Sequence, residues 1–138
     1  MLAAADAAWR AGRTAADLRV RHVSSAGVLG PIRVAQADGA HYDETSPLAP
    51  SNAYERSKAL AEQYAAGFAA GGLPLVIARP EFIYGPGDVH VLGLFRAIRR
   101  GVFFYIGDGA NTCHPTYVDD MVDGLLACLR RGALGGVY

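Results

Sequence analysis

The feature that most constrains the fold is a helix-forming segment that leads directly into a short apolar run. Asn52 is a typical helix N-cap, and Glu55 follows three residues later in the capping-box position. The helical composition continues to the glycine pair at 71–72, a common helix end. Residues 73–78, LPLVIA, are apolar throughout and precede an Arg-Pro pair, as buried parallel strands often do. A helix followed by such a strand predicts an α/β fold with a parallel sheet.

The rest of the chain alternates between helical and strand-like patterns. The predicted helices are residues 1–11, 52–70, 90–100 and a last one from 118, and the predicted strands are 18–25, 73–78, 102–106 and the final GGVY. Loops are expected at 30–50, at PEFIYGPGD and before residue 116. This order favours a doubly wound parallel sheet, although three or four strands are few for one.

Size and charge limit the classes of partner. The chain has 138 residues, half of them apolar, which suits one ordinary domain with a sizeable core. Thirteen basic and thirteen acidic side chains balance, so no broad electrostatic field attracts nucleic acid or an anionic membrane. We therefore expect a small-molecule substrate, no nucleic-acid partner and no membrane partner.

The cysteines and apolar segments point to a cytoplasmic location. The apolar stretches are short, and the first residues lack the order of a signal peptide, so we expect a soluble cytoplasmic protein. Cys113 and Cys128 are the only cysteines, too few for a disulfide framework and not spaced for zinc. Both are expected to be reduced thiols, and no metal site is predicted.

Tyr54 and Lys58 are four residues apart on the predicted helix, so their side chains share one face. A lysine ammonium near a phenol favours the ionised phenolate, which makes the tyrosine a usable acid-base group near neutral pH. Lys58 is the sole lysine among the thirteen basic residues. The same spacing also fits a solvated lysine beside a core tyrosine on an amphipathic helix, and spacing alone leaves both interpretations open.

A wider set of motifs gives this pair a context. Ser25 ends the strand predicted at 18–25 and can hydrogen-bond a substrate oxygen alongside Tyr54. The blocks in order are VSSAGVLG, DETSPLAPSNAYERSKALAEQ, ARPEFIYGPGD and GDGANTCHPTYVDDMVDGLLACL. In order and spacing they resemble the motifs of the NAD-dependent epimerase/dehydratase family, the extended short-chain dehydrogenases/reductases, over nearly the whole chain. The resemblance implies a partial Rossmann-type, doubly wound parallel sheet that lacks its first strands.

The resemblance also implies roles for particular residues. Ser25 matches the family's catalytic Ser/Thr, Tyr54 its general acid/base, and Lys58 the residue that makes the tyrosine more acidic and binds the nicotinamide ribose. Tyr54 and Lys58 therefore also belong to the expected cofactor site. The segment that packs against the nicotinamide end in the family is matched by Pro80, Glu81, Phe82 and Ile83.

Two positions depart from the family pattern on the substrate side. Cys113 stands where members that act on sugar nucleotides often have an arginine for the diphosphate, and a cysteine cannot make that bidentate, charged contact. His114 is adjacent, and both residues are candidate substrate-binding residues together with Ser25. Leu29 replaces the tyrosine usual before the glycine of the serine block, which changes the pocket lining without removing a catalytic group.

The glycine-rich loop that holds the cofactor pyrophosphate is not among these motifs. Gly85-Pro86-Gly87 and the glycines at 107–109 each lack the third glycine and do not join a strand to a helix within a βαβ unit. In the family that loop lies upstream of the first block found here. We therefore expect 1–138 to be the C-terminal part of an NAD(P)-binding domain with the start of the substrate-binding region, truncated at its start. NAD or NADP is the expected cofactor, bound weakly by this chain alone.

The predicted function is an NAD(P)-dependent epimerase, dehydratase or dehydrogenase. Its substrate would be a sugar nucleotide or another secondary alcohol or ketone, transformed by hydride transfer with Tyr54 as general acid/base. The alternative is a non-catalytic fragment, or a binding or assembly protein that keeps the fold without the cofactor loop. A homodimer through the helix that carries Tyr54 is the candidate assembly.

Overall fold

The computed structural model describes residues 1–14, 18–31, 42–104 and 113–138. The helices are α1 (Leu2–Arg10), α2 (Ala53–Ala70), α3 (Val89–Arg99) and α4 (Val118–Arg131), and the strands are β1 (Val20–Val23), β2 (Leu75–Ala78), β3 (Ile83–Tyr84) and β4 (Thr116–Tyr117). A short 3₁₀ helix, Ala26–Leu29, follows β1. This alternation confirms the α/β class.

Two parallel strand pairs organise the described residues. β1 pairs with β2 in the register Val20↔Leu75 to Val23↔Ala78, and β3 pairs with β4. The chain end adds one parallel bridge, Ile77↔Val137. β2 is buried along its whole length, which confirms the buried parallel strand predicted from its apolar run.

Helices lie on both faces of the β1–β2 pair. On one face, α1 and α2 cover a core of four buried residues, namely Ala65, Leu73, Leu75 and Ile77. The partly buried Trp9 and Val20 pack against this core. On the other face the Arg19 guanidinium donates to the Arg130 carbonyl of α4 at 3.2 Å, and Arg21 donates to the Leu125 carbonyl. Because successive side chains of a strand alternate, Val20 and His22 face α2 while Arg19 and Arg21 face α4.

The local signals around α2 and α1 are confirmed. The Asn52 side-chain oxygen accepts a hydrogen bond from the Glu55 amide at 2.9 Å, and the Glu55 carboxylate in turn accepts one from the Asn52 amide. After α1, Gly12 takes φ +95°, a backbone conformation that glycine adopts without steric cost. Helix α3 begins one residue earlier than predicted, capped by the Asp88 carboxylate.

Several predicted strands differ from the structure. Residues 102–104 of the predicted strand 102–106 form no strand and are exposed, since the Val102 amide bonds the Ala97 carbonyl and closes α3 instead. Residues 105–106 lie outside the described ranges. β3 falls inside an expected loop and β4 begins where another expected loop ends; neither was predicted, because two-residue strands carry too little periodicity to be recognised. The strand predicted at 18–25 is shorter, since Ser25 already caps the 3₁₀ helix.

Within the ranges that the structure describes, no helix is both long enough and apolar enough to span a membrane.

Candidate functional site

The site begins where β1 ends and the chain turns under α2. Ser25 has an extended backbone, and its hydroxyl accepts a hydrogen bond from the Gly27 amide at 3.2 Å. A Cβ built on Gly27 would lie 3.3 Å from Glu55 Cγ and 3.3 Å from Ser25 Oγ. The turn that carries Ser25 therefore packs closely against the first turn of α2, and glycine permits that approach.

Lys58 connects the α2 face to the end of β1. Its ammonium donates to the Val23 carbonyl at 3.4 Å and lies 5.9 Å from the centre of the Tyr54 ring. The Tyr54 side chain is 58% exposed, so a ligand can reach the phenol. The structure thus brings Lys58 to Tyr54 and to the strand end that leads into Ser25. A direct partnership between Ser25 and the Tyr54 phenol stays a prediction.

A buried ion pair lies one turn along the same helix face. Glu62 is only 4% exposed. The Arg79 Nε–H donates to both of its carboxylate oxygens, each at 3.2 Å. Arg79 also donates to the Glu44 carbonyl at 3.2 Å, which ties the loop before α2 to the end of β2. The sequence interpretation missed this pair. The four-residue spacing of Lys58 and Glu62 places Glu62 on the same helix face as Lys58, but it gives no indication of Arg79 as the partner.

His22 is a second group that sequence reasoning missed. It lies in β1 opposite Ile77, and its Nε2 is buried without a hydrogen-bond partner among the described residues. Burial lowers the pKa of His22 below its usual 6.5, the Lys58 ammonium lowers it further, and the Glu62 carboxylate opposes both effects. The imidazole is therefore neutral at pH 7.

The segment predicted to contact the nicotinamide end passes beside the Ser25 turn. The Pro80 carbonyl accepts from the Ala26 amide at 2.9 Å, next in sequence to Ser25. Phe82 has φ +29°, rare for a residue with a side chain, and is 48% exposed. Glu81 and Ile83 are also exposed. The geometry places the segment at the site, and its cofactor contacts stay a prediction.

The Gly85-Pro86-Gly87 turn serves packing and helix capping. A Cβ on Gly85 would lie 2.5 Å from Val118 Cγ1, so the turn contacts the start of α4. The Asp88 carboxylate accepts from the amides of His90 and Val91 at 2.9 and 3.1 Å, and so occupies the donors that an anion would use at this helix start. That the turn holds no pyrophosphate stays a prediction. The second glycine segment, 107–109, lies outside the described residues.

The predicted substrate-side residues are accessible. Cys113 is a free, exposed thiol, and His114 beside it is exposed as well, just before β4. A cavity of about 390 Å³ lies between α3 and the β3–β4 pair, lined in part by Tyr84, Phe95 and Tyr117. The predicted site residues are not among those that line it.

Comparison with known proteins places this geometry in a family. The sequence profile of the NAD dependent epimerase/dehydratase family matches residues 1–138. A ketoreductase of Stigmatella aurantiaca, named for 4-hydroxy-2-methyl-3-oxo-4-farnesyl-3,4-dihydroquinoline-1-oxide, is 35% identical over 133 residues, covering 93% of this chain and 38% of that protein. A probable dTDP-glucose 4,6-dehydratase of Sinorhizobium fredii is 31% identical over 128 residues, covering 89% of this chain and 35% of that protein.

Solved structures agree with the sequence relatives. The dTDP-glucose 4,6-dehydratase of Bacillus anthracis, solved in complex with NAD, superposes with a TM-score of 0.73 at 26% identity, covering 88% of this chain and 40% of that one. A dTDP-glucose 4,6-dehydratase of Streptomyces venezuelae, solved with NAD and TYD bound, gives 0.69 at 31% identity, covering 87% of this chain and 37% of that one. The chain thus spans well under half the length of these proteins and shares part of their Rossmann-type parallel fold. It belongs to the NAD dependent epimerase/dehydratase family.

Proposed function

We propose that residues 1–138 supply the acid-base half of an NAD(P)-dependent epimerase, dehydratase or dehydrogenase that acts on a secondary alcohol or ketone. The observation that carries the proposal is the grouping of the exposed Tyr54 phenol, the Lys58 ammonium 5.9 Å from its ring, and the end of β1. We also propose that the chain forms the later part of the cofactor-binding domain and the start of the substrate-binding region, in line with its coverage of 40% of the Bacillus anthracis structure.

The proton would move at the Tyr54 hydroxyl. On oxidation of an alcohol, the substrate O–H gives its proton to the Tyr54 phenolate as the carbinol C–H bond breaks, and a bound nicotinamide supplies the hydride acceptor. On reduction, the Tyr54 O–H returns the proton to the new alkoxide. The Lys58 ammonium supplies a positive charge 5.9 Å from the centre of the Tyr54 ring, and the Ser25 hydroxyl donates a hydrogen bond to the substrate oxygen.

The residues present fit the nicotinamide end of the cofactor. Lys58 is partly exposed and donates a hydrogen bond to the Val23 carbonyl, and its ammonium has further donors for a ribose hydroxyl. Exposed Phe82 and Ile83 offer apolar surface beside the Ser25 turn. The start of α3 offers no such place for the pyrophosphate, since the Asp88 carboxylate accepts from its first amides, and the start of α4 carries the acidic Asp119 and Asp120.

The substrate class is proposed from the relatives together with Cys113. Relatives named as dTDP-glucose 4,6-dehydratases favour a sugar nucleotide. The exposed thiol of Cys113 offers no charged grip on a diphosphate, and the Stigmatella aurantiaca relative is named for a ketone that is not a sugar nucleotide. A second candidate substrate is therefore an uncharged ketone or alcohol.

A homodimer through α2 is proposed as the assembly. Leu60 and Tyr64 are four residues apart on α2 and are 54% and 64% exposed, so the helix presents apolar surface outward. Sedimentation of the protein would measure the association, and a monomer at all concentrations would exclude it.

The experiment that tests the function replaces Tyr54 in residues 1–138 joined to a glycine-rich cofactor segment. Tyr54→Phe should lower turnover about 10²–10⁴-fold, the usual loss of a general acid/base, with cofactor affinity near the wild-type value. Tyr64→Phe, on the same helix and similarly exposed, is the matched control and should leave turnover unchanged. Assays with dTDP-glucose and with a simple ketone separate the two substrate classes. Wild-type turnover in Tyr54→Phe would refute the mechanism.

A further inference from the structure

His22 lies beneath the helix face that carries the proposed acid-base pair. It is the third residue of β1, whose side chains alternate between α4 and α2. Arg21 reaches the Leu125 carbonyl of α4, whereas Val20 packs into the core that α2 covers. The His22 imidazole therefore projects toward α2, and its pKa responds to Lys58 and Glu62 of that helix.

The Lys58 ammonium has two competing places on this face. Glu62, one turn further along α2, is an opposite charge at the i,i+4 spacing and would attract it. Arg79 already neutralises this carboxylate and so weakens the attraction, because its guanidinium donates to both oxygens of Glu62. Lys58 instead reaches back to the Val23 carbonyl, next in sequence to His22, and lies near the Tyr54 ring.

The surroundings of the His22 imidazole disfavour its protonated form. The buried Nε2 has no hydrogen-bond acceptor among the described residues. Protonation would add an unpaired N–H donor and a positive charge close to the Lys58 ammonium, and a buried donor without an acceptor is unfavourable. The charged groups that act on the imidazole from the packed elements are Lys58 and Glu62 of α2, with Arg79 at the end of β2 bonded to Glu62.

We propose that His22 is a positioning residue for Lys58: its neutral imidazole lets the ammonium remain at the Val23 carbonyl beside Tyr54, and protonation of the imidazole displaces it. The inference rests on the proposed function, in which Lys58 serves Tyr54. It adds an acid-sensitive element to that site, because a displaced ammonium no longer lies beside the Tyr54 ring.

The test uses the single lysine of the chain. Labelling with ¹³C,¹⁵N-lysine gives one set of side-chain signals, from Lys58 alone, while ¹³C-histidine follows the four histidines. In a titration from pH 8 to 5, the Lys58 signals should move with the midpoint of the His22 resonance. His22→Gln should remove that step, and the matched control His90→Gln, at an exposed site in α3, should leave it unchanged.

Lys58 signals that do not follow the His22 midpoint in the wild-type chain would overturn the proposal, whether or not the variants fold. The same holds if His22→Gln folds and keeps the step. Neither result bears on Tyr54 turnover, so failure of this inference and failure of the proposed function remain distinguishable.

Discussion

Removal of Arg79 should destabilise the protein strongly, because it leaves the Glu62 carboxylate buried without its partner. Glu62 is 4% exposed, and Arg79 donates to both of its oxygens. Breaking one side of a buried ion pair commonly costs about 3–5 kcal/mol. Since a domain has about 5–15 kcal/mol of total stability, Arg79→Ala would consume a large share of it.

Urea unfolding measures this cost, with the fluorescence of Trp9 as the probe. Trp9 is the single tryptophan and packs against the core between α1, α2 and β2. With a slope of about 1–3 kcal/mol per molar urea, the midpoint of Arg79→Ala should fall by at least about 1 M. The control Arg96→Ala, on the exposed side of α3, should stay within about 0.5 kcal/mol of wild type.

The double variant Arg79→Met/Glu62→Leu separates the cost of an unpaired buried carboxylate from the loss of the ion pair itself. Replacing both charges by apolar groups of similar size removes the unpaired carboxylate and should recover most of the lost stability. A single variant that loses under about 1 kcal/mol, or a double variant as unstable as the single one, would refute this account of the pair.

Three further predictions follow from individual sites. Gly85→Ala should lower the free energy of unfolding by about 1–3 kcal/mol, because its Cβ would meet Val118. Gly93→Ala, which has open space around it in α3, should raise that free energy by about 0.5–1 kcal/mol. Urea midpoints that shift in the same direction for both variants would contradict this. Burial lowers the pKa of His22 below 6.5, so the stability that the neutral imidazole contributes should be complete above about pH 6.5 and should decrease as the pH falls toward the folded pKa. Urea midpoints of wild type and His22→Gln at about pH 7.5 and 5.5 check this. An equal loss of stability in both proteins would exclude His22 as the cause. Residues 1–138 alone should bind NADH very weakly, because the Asp88 carboxylate caps the start of α3 and the start of α4 carries Asp119 and Asp120, whose charges oppose a pyrophosphate. Calorimetry that gives a micromolar Kd would show this expectation to be wrong.

The sequence by itself determined the elements whose signals are local. The capping box of Asn52 and Glu55, the glycines that follow α2, and the apolar run of β2 each act over a few residues, so the chain shows them directly. The order of the motif blocks was likewise sufficient for the family, which the match over 1–138 confirms.

Only the tertiary structure decided which side chains meet. The pairing of Glu62 with Arg79 joins residues seventeen positions apart, and the position of His22 beneath Lys58 depends on how α2 lies across β1. The strands β3 and β4 are defined by their pairing with each other, and two residues carry no periodicity that the sequence could show. The segment that begins at Val102 was predicted as a strand, but the Val102 amide bonds the Ala97 carbonyl and closes α3. Composition and spacing describe a chain in one dimension, whereas these contacts arise when distant segments pack, and their energies depend on burial that exists only after folding.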